Sequence, residues 1–256
     1  MIRPIRFVWK TITKSFIYFL FVSGSLFLVT AVFPLIMLFV HPADRCSKAM
    51  RRATHHIFFL MNFVTWALGL IHVDISREDL KKLRSLKSAI IVANHPSLLD
   101  ITLIMGMIPQ ADCIVNAALF DKFIVRHVVR RLFVPNSLDF NEMLDSCNKS
   151  LKAGNCLVIF PEGTRTKVGI KPVIRKGSAR IALGTECPVY PVHIEANDMR
   201  GLRKGDPFYR INKNGRYRYR FVLQDPILPE SYQSMPLPIA ARKMNEEIYT
   251  CLFPAS

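Results

Sequence analysis

Residues 15 to 40 read SFIYFLFVSGSLFLVTAVFPLIMLFV, 26 consecutive positions without a charged side chain. As one straight helix this run would be about 39 Å long, more than the hydrocarbon core of a bilayer at about 30 Å. It is too long for the apolar region of a signal peptide, and no A-x-A-like cleavage site follows it. Its length and composition argue for a membrane segment over a buried helix of a soluble domain. Arg3, Arg6, Lys10 and Lys14 precede it, and Arg45, Lys48, Arg51 and Arg52 follow it, so the flanking charge gives little orientation bias. A second apolar stretch, IFFLMNFVTWALGLI at 57 to 71, is interrupted by Asn62 and Thr65. Two helices that enter one leaflet and return would keep every basic cluster on one face, and Pro34 would bend the first of them. This hairpin is favoured over a single crossing. It divides the chain into a membrane-anchoring segment, 1–71, and a domain spanning 72–256.

The net charge of +16, with 35 Lys and Arg against 19 Asp and Glu, suits an anionic membrane, nucleic acid or an acidic partner. Half of the residues are hydrophobic, which a nucleic-acid binder has no need of, and no zinc-finger or RNA-binding pattern is present. Nucleic acid is therefore not an expected partner. Cys46, Cys113, Cys147, Cys156, Cys187 and Cys251 are scattered without a CxxC pair. No metal site is expected of them, and unpaired thiols suit a reducing compartment.

From residue 72 the pattern changes to strands alternating with helices. VDIS (73–76), SAIIVAN (88–94), a strand beginning near 113, NCLVIF (155–160) and CPVYPVHI (187–194) read as strands. Helical spacing covers about 97–107, 119–132, 138–152 with Gly154 as its stop, 177–184 and 237–252. The fold class that follows is α/β, a central and mostly parallel sheet flanked by helices. YRINKNGRYRYRFVL predicts a β-hairpin turning at Asn214-Gly215.

Two strands end in chemically loaded turns. SAIIVAN runs directly into His95-Pro96-Ser97-Leu98-Leu99-Asp100. On one continuous helix His95 and Asp100 would point about 140° apart. They can meet if His95 precedes the helix and Asp100 lies in its first turns, with Pro96 at the entry. Asp100 would then hold one imidazole nitrogen and leave the other as a base. LVIF leads into Pro161-Glu162-Gly163-Thr164-Arg165-Thr166. That turn gathers an acid, a glycine open to close backbone approach, a hydroxyl and a planar cation suited to phosphate or carboxylate. In open α/β sheets the carboxyl ends of strands are where ligands bind. An ordinary polar turn is the alternative for this second stretch taken alone.

Taken together, NHPSLLD and FPEGTRT resemble two signature blocks of the glycerolipid acyltransferases, the glycerol-3-phosphate and lysophosphatidate acyltransferase superfamily, in the family's order and separation. Pro188-Val189-Tyr190-Pro191-Val192 resembles the last block, and Lys176-Gly177 sits where members often carry that pair. The resemblance covers roughly residues 85 to 225. It implies that His95 is the general base with Asp100 as its orienting partner. Glu162, Gly163, Thr164, Arg165 and Lys176 would bind the acceptor, Arg165 and Lys176 facing a phosphate. The implied reaction moves a fatty acyl group from a thioester onto 1-acyl-glycerol-3-phosphate to give phosphatidate. No bound cofactor is implied, since acyl-CoA or acyl-carrier protein serves as co-substrate. No G-x-S-x-G elbow is present, in keeping with direct attack, so Ser97 reads as a helix-start hydroxyl.

One block departs from the family pattern. Where many members end a segment in an apolar pair and an arginine, this chain has Leu132-Phe133-Val134-Pro135-Asn136, with Arg126, Arg130 and Arg131 upstream. The departure bears on the acceptor, so a different lipid hydroxyl, phosphorylated or not, is the first rival reading. A non-catalytic protein that binds anionic lipid through basic residues between Arg200 and Arg220 is the second. The partners implied are membrane lipids and the acyl donor. Because that donor is made in the cytoplasm, the catalytic region is expected on the cytoplasmic side of a membrane.

Overall fold

In this computed structural model, residues 2–116, 133–136, 139–166, 169–207, 210, 212 and 215–254 are described. The helix expected over 119–132, with Arg126, Arg130 and Arg131, lies outside them.

Every residue of β2 (Ile90–Ala93) and β5 (Cys156–Ile159) is buried, as their unbroken apolar sequences require of central parallel strands. With β1 (Ile71–Ile75), β3 (Ala111–Asn116), β4 (Phe133–Asn136), β6 (Val189–Ala196) and β7 (Tyr217–Leu223) they form one sheet, in the order β1-β7-β6-β2-β5-β3-β4. Strands β6, β2, β5, β3 and β4 are parallel. Strand β7 is antiparallel to β6, and β1 is parallel to β7.

Alternate residues of the central strands feed two cores. Ile91, Ala93 and Val158 pack with Leu83 of α4 (Arg77–Ser85) and with Leu103, Ile104 and Met105 of α5 (Asp100–Met107). Ile90, Val92, Leu157 and Ile159 face the other way, onto α6 (Phe140–Lys152), α7 (Gly177–Thr185) and α8 (Leu237–Leu252). Helix starts follow local chemistry. Ser76 Oγ accepts from the Asp79 N–H at 2.9 Å ahead of α4, and Asp139 Oδ1 accepts from the Asn141 N–H at 2.8 Å ahead of α6.

Among the described residues, the strand-and-helix order anticipated from residue 72 is present, except at the expected hairpin. Asn214 lies outside the described residues, and Arg210 and Asn212 before it are not in a strand. Strand β7 instead pairs with β6 along one edge and β1 along the other. Both hydrogen-bonding edges are therefore taken. Helix α4 and the short edge strand β4, whose Asn136 is in register with Asn116 of β3, are additions to the elements expected from the sequence.

The N-terminal segment folds as α1 (Ile2–Phe27), α2 (Phe33–Phe39) and α3 (Ala43–Ala67). Between α1 and α2, the Phe33 N–H bonds to the Leu28 carbonyl five residues back. The helix thus winds wider just ahead of Pro34, whose ring has no N–H to continue the ladder. Past Val40–Pro42 the chain doubles back: Cys46 and Met50 of α3 pack with Leu28 and Phe33, and Phe58 stacks on Phe21. Phe7–Phe39 is long and apolar enough to cross a membrane. Its side chains are mostly open, Phe19 at 65% and Phe39 at 75%, and Phe63 and Trp66 of α3 are about half exposed. Such a surface is unsuited to water and marks membrane contact.

Arg51, His55 and Asn62 of α3 face the sheet domain. Asn62 Nδ2 donates to the Thr102 carbonyl of α5 at 2.8 Å, and His55 Nδ1 lies 3.0 Å from the Met105 carbonyl. Gly106 permits this close approach, because a Cβ there would lie 2.6 Å from Asn62 Nδ2 and 3.2 Å from the Phe59 nitrogen. Arg51 forms a two-pronged, buried ion pair with Asp112 of β3, at 2.6 and 2.8 Å, and Ser150 of α6 also donates to that carboxylate. Arg51→Met should lower the stability of the detergent-solubilised chain by about 3–5 kcal/mol, because it strands a buried charge. Chemical denaturation followed by tryptophan fluorescence measures this, and a loss under about 1 kcal/mol would mean that the pair is not needed.

Candidate active site

The parallel register of β2 and β5 sets Val92 opposite Ile159. Three residues further along each strand stand His95 and Glu162, so the two loaded turns leave the sheet side by side. Asn94 ends the strand by mimicking it. Its side-chain oxygen accepts from the Ile194 N–H at 2.7 Å, and its amide donates to the Ile194 carbonyl at 3.0 Å. The chain can then depart from the sheet at His95 without leaving those groups of β6 unpaired.

His95 and Asp100 meet as their spacing predicts, with His95 Nδ1 2.8 Å from Asp100 Oδ2. The carboxylate is fully enclosed and also accepts from the Ser97 N–H at 2.7 Å and the Ser97 hydroxyl at 2.6 Å. Burial pushes the Asp100 carboxyl above its ordinary range, and these donors oppose that rise. Helix α5 begins at Asp100 rather than at 97, since the Ser97 hydroxyl accepts from the Leu99 N–H at 3.1 Å and holds a turn there. The imidazole is stacked on Phe160, ring centroids 4.3 Å apart, and its side chain is 19% exposed. Nε2 carries no hydrogen bond among the described residues.

Glu162 turns inward. Its Oε1 accepts from the His95 N–H and from the Thr166 hydroxyl, both at 2.9 Å, and the Thr166 N–H donates to the His95 carbonyl at 2.7 Å. The two turns are thus laced together through the backbone of the histidine itself. Gly163, at φ +64°, takes the left-handed conformation that a side chain would strain. Arg165 Nη1 donates to the Leu202 carbonyl at 3.0 Å, and the Leu98 N–H donates to the same oxygen at 3.0 Å. Thr164 accepts from Lys204 Nζ at 2.9 Å. Lys176 is exposed just before α7 and has no hydrogen bond or ion pair with His95, Asp100 or Arg165.

Sequence reasoning missed two contributors. One is the 198–206 loop, whose Leu202 carbonyl fastens Arg165. The other is Tyr219 of β7, fully buried, with its hydroxyl 2.8 Å from Ser97 Oγ. The alternation of YRYRFVL could have placed Tyr219 inward, though nothing in it names Ser97 as its target. An apolar cavity of about 260 Å³ adjoins the site, lined by Ile17, Phe21, Met61, Leu98 and Leu99, with Arg165 at its wall.

An imidazole held at one nitrogen by a buried carboxylate and open at the other is an arrangement that can accept a proton from a bound hydroxyl. The acyltransferase family profile matches residues 72–195. The chain is 29% identical over 191 residues to a 1-acyl-sn-glycerol-3-phosphate acyltransferase of Cocos nucifera, covering 72% of this chain and 60% of the relative. It is 29% identical over 185 residues to the chloroplastic 1-acyl-sn-glycerol-3-phosphate acyltransferase LPAT1 of Arabidopsis thaliana, covering 69% and 50%. The chain thus spans about half to three-fifths of the length of these curated relatives. Its fold matches the crystal structure of the 1-acyl-sn-glycerophosphate acyltransferase PlsC from Thermotoga maritima, with a TM-score of 0.66 at 24% identity over 98% of this chain and 96% of that one. The chain thus shares the acyltransferase family's pattern over residues 72–195 and, over nearly its whole length, the fold of that crystal structure.

Burial also raises the Glu162 carboxyl above its ordinary 4.5, against the hydrogen bonds from His95 and Thr166. A carboxyl raised by folding binds its proton more tightly in the native state. Its contribution is therefore fully present at low pH and is lost as pH rises through the raised value. Glu162→Gln keeps an oxygen for both hydrogen bonds and removes the charge. Thermal unfolding from about pH 4 to about pH 8 should show a shallower loss of stability in this variant than in the wild type. Parallel curves would mean that Glu162 does not carry the dependence.

Proposed function

We propose that the chain transfers a fatty acyl group from acyl-CoA or acyl-carrier protein to the hydroxyl of 1-acyl-glycerol-3-phosphate, forming phosphatidate. The observation that carries this reading is the His95 imidazole, fixed at Nδ1 by buried Asp100 and open at Nε2. Nε2 takes the proton of the acceptor hydroxyl as its oxygen attacks the thioester carbonyl carbon. The tetrahedral intermediate collapses, the carbon–sulfur bond breaks, and the thiolate leaves with the proton from the imidazolium. Asp100 orients the ring and stabilises its charged form.

Direct attack is supported by the state of the alternative nucleophiles. The Ser97 hydroxyl is engaged by Asp100, Leu99 and Tyr219. Burial pushes the thiols of Cys113 and Cys147 up to about 12 and that of Cys156 up to about 11, which keeps them protonated. Arg165 holds the acceptor phosphate with the donors it does not spend on Leu202, and the neighbouring Arg203 and Lys204 add positive charge. The apolar cavity beside Arg165 takes an acyl chain. Glu162, Gly163 and Thr164 shape the turn around the acceptor, and Lys176 joins them only if a bound substrate reaches the start of α7.

His95→Ala should lower turnover by about 10²–10⁴-fold with the fold intact. The assay presents purified protein with a labelled acyl donor and a panel of lysolipids, read by mass spectrometry. Near-normal turnover in the variant would remove His95 from the role of base. Phosphatidate formation that is no faster than esterification of unphosphorylated lipids would overturn the acceptor.

The hairpin of α1 to α3 rests in one leaflet, with the catalytic region on the cytoplasmic side, where the donor is made. Its exposed apolar faces and the basic residues around them support this arrangement. With Cys187 and Cys251 changed to serine, Arg242→Cys, at an exposed position of α8, should resist an impermeant thiol reagent applied outside intact cells and react after lysis. Labelling from outside would reverse the orientation.

A further inference from the structure

We propose that Tyr219 is a positioning residue for the His95–Asp100 pair, acting through the Ser97 hydroxyl. The inference rests on the reading of His95 as base, and it follows from accounting for protons at one oxygen. Ser97 Oγ has three neighbours: Asp100 Oδ1 at 2.6 Å, the Leu99 nitrogen at 3.1 Å and the Tyr219 oxygen at 2.8 Å. A hydroxyl has one proton to give and two lone pairs with which to accept. Ionised Asp100 can only accept, so the serine proton goes to it. The Leu99 N–H can only donate, so it takes one lone pair. Tyr219 must therefore donate to the other. The direction of the whole chain is fixed, running from Tyr219 to Ser97 to Asp100.

This arrangement tunes the carboxylate. A donor on Ser97 Oγ polarises the serine O–H and strengthens its bond to Asp100, the more so in a dry interior. The better Asp100 is satisfied by Ser97, the less strongly it draws on the Nδ1–H of His95. Tyr219 belongs to β7, which is separated from β2 by β6, so the antiparallel pairing of β7 with β6 brings a remote strand to the site. Burial keeps the phenol protonated by raising it well above its ordinary 10.0, so it can donate at every pH at which the enzyme would work.

Tyr219→Phe removes the donor and little volume. Asp100 should then hold the imidazolium more tightly. The acidic limb of the pH profile of kcat/KM should move upward by about half a unit to one unit, and kcat at neutral pH should fall about three- to tenfold. The KM for the acceptor should stay unchanged. In a Ser97→Ala background the same change should leave the limb where Ser97→Ala alone puts it, since the link is already cut. The 15N shifts of the His95 ring, titrated in detergent, report its protonation without any substrate. They keep a failure of this relay distinct from a failure of the acyl-transfer reading. An upward shift in the titration of His95 in Tyr219→Phe that vanishes in the Ser97→Ala background establishes the relay. An unmoved titration with a lowered melting temperature would make Tyr219 purely structural, and an equal shift in both backgrounds would show that it acts by another path.

Discussion

A carboxylate with no solvent contact must be satisfied by the protein alone, and the architecture around the site can be read as the answer to that demand for Asp100. Full burial raises the cost of its charge, and three donors offset it: the His95 ring and the backbone and hydroxyl of Ser97. Those donors meet only because the chain turns sharply between β2 and α5, with the charge at the start of the helix, where the backbone dipole favours a negative group. The turn is held by β5 on one side, through Glu162 and Thr166, and by β7 on the other, through Tyr219. Of His95, Ser97, Asp100 and Tyr219, the histidine is the one with an edge toward solvent. Rigidity on Nδ1 and freedom on Nε2 are two consequences of the same enclosure.

Burying Asp100 and Glu162 as near neighbours also has a thermodynamic consequence. Both carboxyls are raised by desolvation, and the Asp100 charge also opposes ionisation of Glu162. The folded state is therefore under increasing electrostatic load as pH rises. Functional sites are where such perturbed groups commonly gather. The two buried cores on either side of the sheet stabilise the frame that holds them.

How much of this was legible in the sequence depended on whether the determining contact was local. His95 and Asp100 are five residues apart, and a strand followed by a proline-led helix leaves them one way to meet. The central strands announced themselves by unbroken apolar runs, which only burial on both faces explains. Helix α8 was found at its observed bounds from its spacing. Strand β7 was recognised but given the wrong neighbour, because an Asn-Gly turn signal is local whereas its pairing with β1 joins Ile71 to Tyr217. The same limit hid Tyr219, which lies 122 positions from the serine it touches. It also hid the role of Leu202, since a backbone carbonyl has no sequence signature.

The composition that sets the first 71 residues apart is not matched by a break in packing. Helix α3 presents Arg51, His55 and Asn62 to the sheet domain while Phe59, Leu60, Phe63 and Trp66 face outward. Helix α1 reaches further. Lys10 Nζ donates to the carbonyls of Asn212 and Gly215, at 3.1 and 2.6 Å, and Lys14 Nζ to those of Gly201 and Arg210, both at 2.8 Å. Gly201 is left-handed at φ +81°, and a Cβ there would fall 1.8 Å from the Arg210 carbonyl oxygen, so the loop closes tightly around these contacts. The next residue, Leu202, supplies the carbonyl that fastens both Arg165 and the Leu98 N–H. Two lysines of the first helix are therefore joined, through one loop, to Arg165 and to the turn that follows His95. An apolar helix that also braces the loop at the candidate site couples the height of that site above a bilayer to the packing of the helix itself.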